Sequence, residues 1–562
     1  MKQLITGISI FMISAVLQAE NYLINGGQNS RLNYELSQRI EPAGDTKYLK
    51  LSFVVPESFE SPTYKQQIEN YRLDLQPQPT NRDEKTDKRG NQIVLLEWKN
   101  PSQPVDVAMR FTATTRTDLK PLQSAAVFPL TGIPPEYRDY LEATAQVQSD
   151  HPDIQSRAES LIQGVKTEFD AVQHILTWVV DHVRYVTPPQ QYDALYSFQS
   201  GKGNCQNFSH LSAALMRHVG IPVRIVNGVT LKEPYVIKTG EGEFTFKMGQ
   251  GRHSWIEVWF SDLGWVPFDP QQTELFVSNR FIRLEVGVDN NETVNDGTVK
   301  WRQARGVKGR PTFRETITAD FLADQVQLAM EKQSYGPKNM LLVPQVEASF
   351  KPIIVKTPPP PEKIPQDRLD RLQYNKPLLF GNIDFPRGIN FFEVRTASQG
   401  EEDEFVLKKN FLVETAEFVT EKDIQYAQVF ILKRPLLLAK IGLALKKFGG
   451  SGQIWLELLA DENGMPGAVI ATSDFMDLSQ VPLRQSYDWV DFDLQNSKSR
   501  LSPGKYWIRL GFTGGPIINW YYTYGKSVGP VDGTRYKGVF EDRWSGALSY
   551  EFNYRVAGYT TP

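Results

Sequence analysis

Residues 201–210 read GKGNCQNFSH, and residues 252–260 and 264–270 read RHSWIEVWF and GWVPFDP. Cys205 is the single cysteine in 562 residues. Beyond it, Phe208, Leu211, Leu215 and Val219 recur at three- and four-residue steps, the period of a helix with one apolar face. Gly203 and Asn204 supply a turn and a cap. Gly220 suits the position just past the helix end, and Pro222 blocks continuation. Cys205 therefore falls at or beside the first helical turn, where unpaired N–H groups and the positive dipole end favour an anion. A thiolate is such an anion, and it is the nucleophilic form of cysteine.

A nucleophilic cysteine needs a base, and the base needs a group that orients it. RHSWIEVWF alternates as a strand, with Ser254, Ile256, Val258 and Phe260 on one face and His253, Trp255, Glu257 and Trp259 on the other. Residues 261–264, SDLG, are a turn, and GWVPFDP returns antiparallel to end at Asp269 and Pro270. His253 and Asp269 then meet at the open end of a hairpin, with Asp269 on one imidazole nitrogen and Cys205 facing the other. Register sets a condition. A two-residue turn centred on Asp262 and Leu263 puts Asp269 opposite Ile256, on the wrong face, so a bulge or a longer turn is required. His174, His182, His210 and His218 lack such surroundings and read as surface or packing residues of helices. Trp255, Trp259 and Trp265 read as hydrophobic walls.

The chain is too long for one core. Hydrophobic residues make up 40% and charged residues 23%, an ordinary globular balance. Aromatics at 12%, with 40 Gly and 36 Pro, lean toward strands joined by tight turns. A net charge of -3 gives no basic field, so nucleic acid is not expected as a partner. Residues 1–19 have a lysine near the start, a short apolar run and Ala19 for cleavage, the pattern of a secretory signal peptide; periplasmic or secreted localisation follows as the expectation. Residues 20–127 alternate (Leu49, Leu51, Phe53 and Val55; Val105, Val107, Met109 and Phe111) around a polar loop at 76–91 and predict a β-sandwich. Residues 128–350 form the next unit, with a helical core at 150–275. It has one helix from Pro152 to about Gly164 and another capped by Thr167, and a β-rich extension that includes a helix at 319–332. Residues 351–380 are a linker containing four consecutive prolines at 358–361. Residues 381–562 predict a second β-sandwich or jelly-roll, with a turn at Asn463 and Gly464 and another at Pro503 and Gly504. The aromatic run at 519–525 reads as core ahead of a surface that stacks on sugars. No metal site is expected: no His-Glu-x-x-His or paired-cysteine motif appears, and residues 288–297 lack EF-hand spacing. No cofactor is expected either.

These stretches together resemble the transglutaminase-like superfamily, whose fold is papain-like α+β with a Cys-His-Asp triad. The pattern is carried by Trp178 and Tyr185, by GNC at 203–205, by Gly220, Ile221, Pro222 and Arg224, by HSWIEV at 253–258 and by GWVPFDP at 264–270. The resemblance covers residues 128–275 and resembles exported bacterial members. It implies that Cys205 attacks an amide carbonyl, His253 protonates the leaving amine, Asp269 holds the imidazole, and the Cys205 N–H meets the oxyanion. The resulting expectation is an exported acyl-transfer enzyme acting through a thioester on protein or peptide amides, a peptidase or amidase first. Protein-glutamine transamidation and a non-catalytic adhesion or scaffold role are the alternatives. The C-terminal β-region loosely resembles jelly-roll modules, which implies glycan or cell-surface contact or a packing role.

Overall fold

Alternating apolar residues in the N-terminal region form strands. The computed structural model describes residues 21–119, 124–186, 189–231, 235–239, 242–246, 251–271, 276–304, 309–333, 363–383, 395–399, 405–409, 416–483, 487–523, 533–538, 541–544, 547–548 and 550–562. The expected leader at 1–19 and the proline run at 358–361 lie outside them.

Two sheets share the N-terminal core. One has five strands, with Thr312–Gln333, Asn21–Glu41, Val105–Asp118 and Tyr64–Gln76 as successive neighbours. The other has six, centred on Thr298–Gln303, Thr46–Val55 and Gln92–Lys99. Leu32, Tyr34 and Leu36 from the first meet Leu49, Leu51, Phe53, Leu96 and Trp98 from the second. Two segments differ from their sequence reading. Residues 319–332, expected as a helix, belong to the strand Thr312–Gln333, paired along its length with Asn21–Glu41. Phe313, Ile317, Ala319 and Phe321 alternate onto the core, a period of two that only the distant partner strand reveals. Within the polar loop at 76–91, Asn81–Thr86 is an edge strand with every side chain exposed, a charged border that discourages further pairing.

The middle of the chain begins with helices α1 (Pro152–Leu161), α2 (Glu168–His182), α3 (Ala194–Ser200) and α4 (Cys205–His218). Thr167 caps α2, its hydroxyl accepting from the Asp170 N–H. A four-stranded antiparallel sheet follows: β1 (Val223–Thr230), β2 (Gly251–Phe260), β3 (Gly264–Phe268) and β4 (Phe281–Gly287), in the order β3-β2-β1-β4. Its residues are divided between two cores. Val223, Ile225, Ile256 and Val258 pack with Phe208, Leu211 and Leu215 of α4. Val229, Leu231, Ile282 and Leu284 join the N-terminal core. Because both faces are covered, α4 and the sheet carry near-continuous apolar runs.

The C-terminal region consists of an eight-stranded and a six-stranded sheet. Asn463 and Gly464 both take positive φ, 57° and 79°, and join Gly452–Glu462 to Met465–Thr472 in the tight hairpin the sequence predicts. Trp520, Tyr521 and Tyr522 are buried, so the described part of the 519–525 run is core.

Candidate active site

The first turn of α4 is built by two asparagines. Asn204 is extended, and its Oδ1 accepts from the Gln206 N–H at 3.1 Å; Asn207 Oδ1 accepts from the Asn204 N–H at 3.1 Å. This reciprocal box satisfies donors that a helix start otherwise leaves unpaired. Asn207 Nδ2 also donates to the carbonyls of Gln191 and Asp193, at 3.0 and 3.2 Å. The glycines ahead of the cysteine have separate reasons. Gly201 closes α3 at φ 65°, a conformation that favours glycine. A Cβ on Gly203 would lie 2.2 Å from Asn207 Cβ.

The histidine comes from the hairpin. Phe260 pairs with Gly264, so the turn holds three residues, 261–263, followed by Gly264 at φ 73°. Ile256 therefore faces Phe268, and Asp269 follows in line with Trp255, on the face that carries His253. One residue more than the minimal turn meets the register condition. His253 Nε2–H donates to Asp269 Oδ2 at 2.8 Å, and the Gln271 N–H donates to Asp269 Oδ1 at 3.1 Å. The other ring nitrogen, Nδ1, is buried and makes no hydrogen bond of normal geometry. Cys205 is the titratable group that acts on the imidazole alongside Asp269.

Exposure is 0% at Cys205, 1% at His253 and 0% at Asp269, so all three sit inside the protein. Burial alone would drive His253 toward the neutral form. The charge and hydrogen bond of Asp269, with a smaller share from Cys205, outweigh it and push its pKa up to about 10. The arrangement can hold a proton on imidazole beside a sulfur at a helix N-terminus.

Surrounding residues fix the ring. Phe281 meets His253 edge-on at 5.2 Å, and Trp255 lies 5.9 Å away. Gly228 pairs with His253 across β1 and β2, and a Cβ there would fall 2.3 Å from the Trp255 ring and 2.2 Å from the Ile282 carbonyl. Further along β2, Glu257 is buried between Arg224, at 2.5 Å, and Arg283, at 2.8 Å. Burial would raise its pKa, but the two guanidinium groups overcome that and hold it below the usual carboxylate range. Arg224 lies 4.2 Å over Trp265, and Trp259 and Trp265 pack on Tyr137, so both tryptophans build a wall.

His210, read as a packing residue, is a clamp. Its Nδ1–H donates to the Tyr192 carbonyl at 2.6 Å and its Nε2 accepts from the Asn290 N–H at 3.3 Å. Burial, the largest influence, pushes its pKa down to about 4, which keeps Nε2 free to accept. No periodicity marks His210 or Phe281, because their partners are a backbone carbonyl and a ring from another strand. Asn207 had a visible signal, its spacing three residues after Asn204. Among the described residues, no group of three or more His, Cys, Asp or Glu side chains forms a metal cluster.

With this geometry in hand, residues 155–270 match the family model of the Transglutaminase-like superfamily, and the chain carries a transglutaminase-like domain over that span. It is similar to YebA of Bacillus subtilis, with 30% identity over 125 residues, 21% of this chain and 17% of YebA. It is also similar to ML0607 of Mycobacterium leprae, with 29% identity over 123 residues, 21% of this chain and 40% of that protein. The matched region thus spans less than half the length of either relative. A solved structure of a candidate cysteine protease from Cytophaga hutchinsonii aligns over 56% of this chain and 100% of its own, at 17% identity and a TM-score of 0.39.

Proposed function

We propose that the protein is an exported cysteine-dependent acyl-transfer enzyme that hydrolyses protein or peptide amides. The observation that carries this reading is the buried His253–Asp269 hydrogen bond of 2.8 Å, with the second imidazole nitrogen left to a thiol at the start of α4. In the resting pair the thiol proton rests on His253 Nδ1. The sulfur attacks the amide carbon, a C–S bond forms, and the carbonyl π pair moves to oxygen. As the oxyanion collapses, Nδ1–H protonates the leaving nitrogen and the C–N bond breaks, leaving a thioester. His253 then takes a proton from water, the hydroxide adds, and C–S cleavage restores the thiolate. An amine in place of water gives transamidation. Hydrolysis is favoured because no described feature provides an amine site.

The test is alkylation of the mature protein by iodoacetamide from pH 4 to 9, followed by mass, beside His253→Ala. With one cysteine in the chain, each modified molecule reports on this site. The expected result is fast alkylation well below pH 8 in the wild type, slowed and moved to higher pH in His253→Ala. The comparison asks whether reactivity at low pH depends on the imidazole. An unreactive folded protein, or identical profiles, would remove the enzymatic reading in favour of a scaffold.

A further inference from the structure

The acyl-transfer reading needs two hydrogen-bond donors where the carbonyl oxygen gains charge. The Cys205 N–H supplies one: at the first helical position it has no intrahelical acceptor. The second is marked by an unpaired buried atom. Asn204, immediately before the nucleophile, is 1% exposed. Its Oδ1 is committed to the Gln206 N–H at 3.1 Å, and this fixes which way the amide faces. Its Nδ2 is then left buried with no acceptor. Buried amide donors are rarely left unpaired, since each lost bond costs on the order of 1–3 kcal/mol, so an orphan beside a nucleophile calls for a partner that arrives later. The α4 N-terminus is also the place where an incoming negative oxygen is most favoured.

We propose that Asn204 Nδ2 is the second oxyanion donor, acting with the Cys205 N–H on the carbonyl oxygen of the acyl substrate. When sulfur adds to the carbonyl carbon and the π pair moves to oxygen, Nδ2–H donates to that oxygen. It remains while the pair returns and the leaving group departs. The same side chain thus caps α4 through its oxygen and serves the reaction through its nitrogen. This inference rests on the acyl-transfer reading above.

Two reactions of the same thiol separate the roles. Acylation by p-nitrophenyl acetate passes through a tetrahedral oxyanion and releases p-nitrophenolate. Alkylation by iodoacetamide displaces iodide at a saturated carbon and forms no oxyanion. Glycine replaces an N-cap asparagine at little cost, so Asn204→Gly keeps the helix start and removes the side-chain donor without putting a hydroxyl in its place. The expected result is a melting temperature and an alkylation rate close to wild type, with acylation slowed about 10²- to 10³-fold. Unchanged acylation in Asn204→Gly overturns the assignment. So does an equal loss in both reactions, which would mean damage to the nucleophile or the fold. A wild-type protein that alkylates but never acylates overturns the acyl-transfer reading itself, and this inference with it.

Discussion

At the scale of single residues, the site turns on the charge of Asp269. It accepts from His253 Nε2 at 2.8 Å and is the largest influence opposing burial of the imidazolium. Asp269→Asn keeps the shape and removes that charge. His253 should then lose its proton at lower pH, alkylation at low pH should slow, and acyl transfer should fall about a hundredfold or more. A pH–rate profile matching wild type would show that the carboxylate does not tune the ring. The same ionisation predicts a stability effect. The His253 pKa rises on folding from its ordinary value near 6.5 to about 10. Its stabilisation is therefore complete below pH 6.5 and lost as pH rises through about 10. Thermal melts of wild type and His253→Gln, which does not titrate, should show the wild-type margin shrinking over that interval by on the order of a few kcal/mol. A margin that grows with pH would reverse the assignment of charge. Cys205 and His253 were legible in the sequence because a helix start and an alternating strand are local patterns. His210 was not, since its role is set by the Tyr192 carbonyl and the Asn290 N–H.

At the scale of elements, the site depends on two tight junctions. The first is the approach to α4. A methyl group on Gly203 would press into Asn207, whose side chain closes the capping box and holds the carbonyls of Gln191 and Asp193. Gly203→Ala should cost about 2 kcal/mol in chemical denaturation, in the usual range for overpacking, and should slow alkylation by displacing the first turn. If stability and alkylation both match wild type, the packing argument fails. The second junction is the turn at 261–263. The hydrophobic pattern identified both strands of the hairpin, but the face of Asp269 depends on a single residue of turn length, which alternation does not encode. The strand Thr312–Gln333 shows the opposite failure. Its sequence fits a helix locally, and only pairing with Asn21–Glu41, nearly three hundred residues earlier, selects the extended form.

At the scale of the whole molecule, the N-terminal sheets are bound directly to the strand that packs on the His253 imidazole. Tyr64 Oη–H donates to the Phe281 carbonyl at 2.7 Å, and Phe281 meets His253 edge-on. Gln66 Oε1 accepts from the Arg283 N–H at 2.8 Å, while its Nε2 donates to the Arg283 carbonyl at 2.9 Å. Ile282, between these bonds, and Leu284, just beyond them, belong to the N-terminal core, whereas Phe281 and Val286 belong to the core beneath α4. Strand β4 is thus shared by two cores, and neither can lose it while staying folded. The N-terminal sheets and the transglutaminase-like region should therefore unfold together. Calorimetry should show one transition for the two, and Tyr64→Phe, which removes a buried hydrogen bond, should lower its stability by about 1–2 kcal/mol without splitting it. Loss of the N-terminal strands in a separate, earlier step would show that β4 is held by the core beneath α4 alone and that the N-terminal sheets are an independent module.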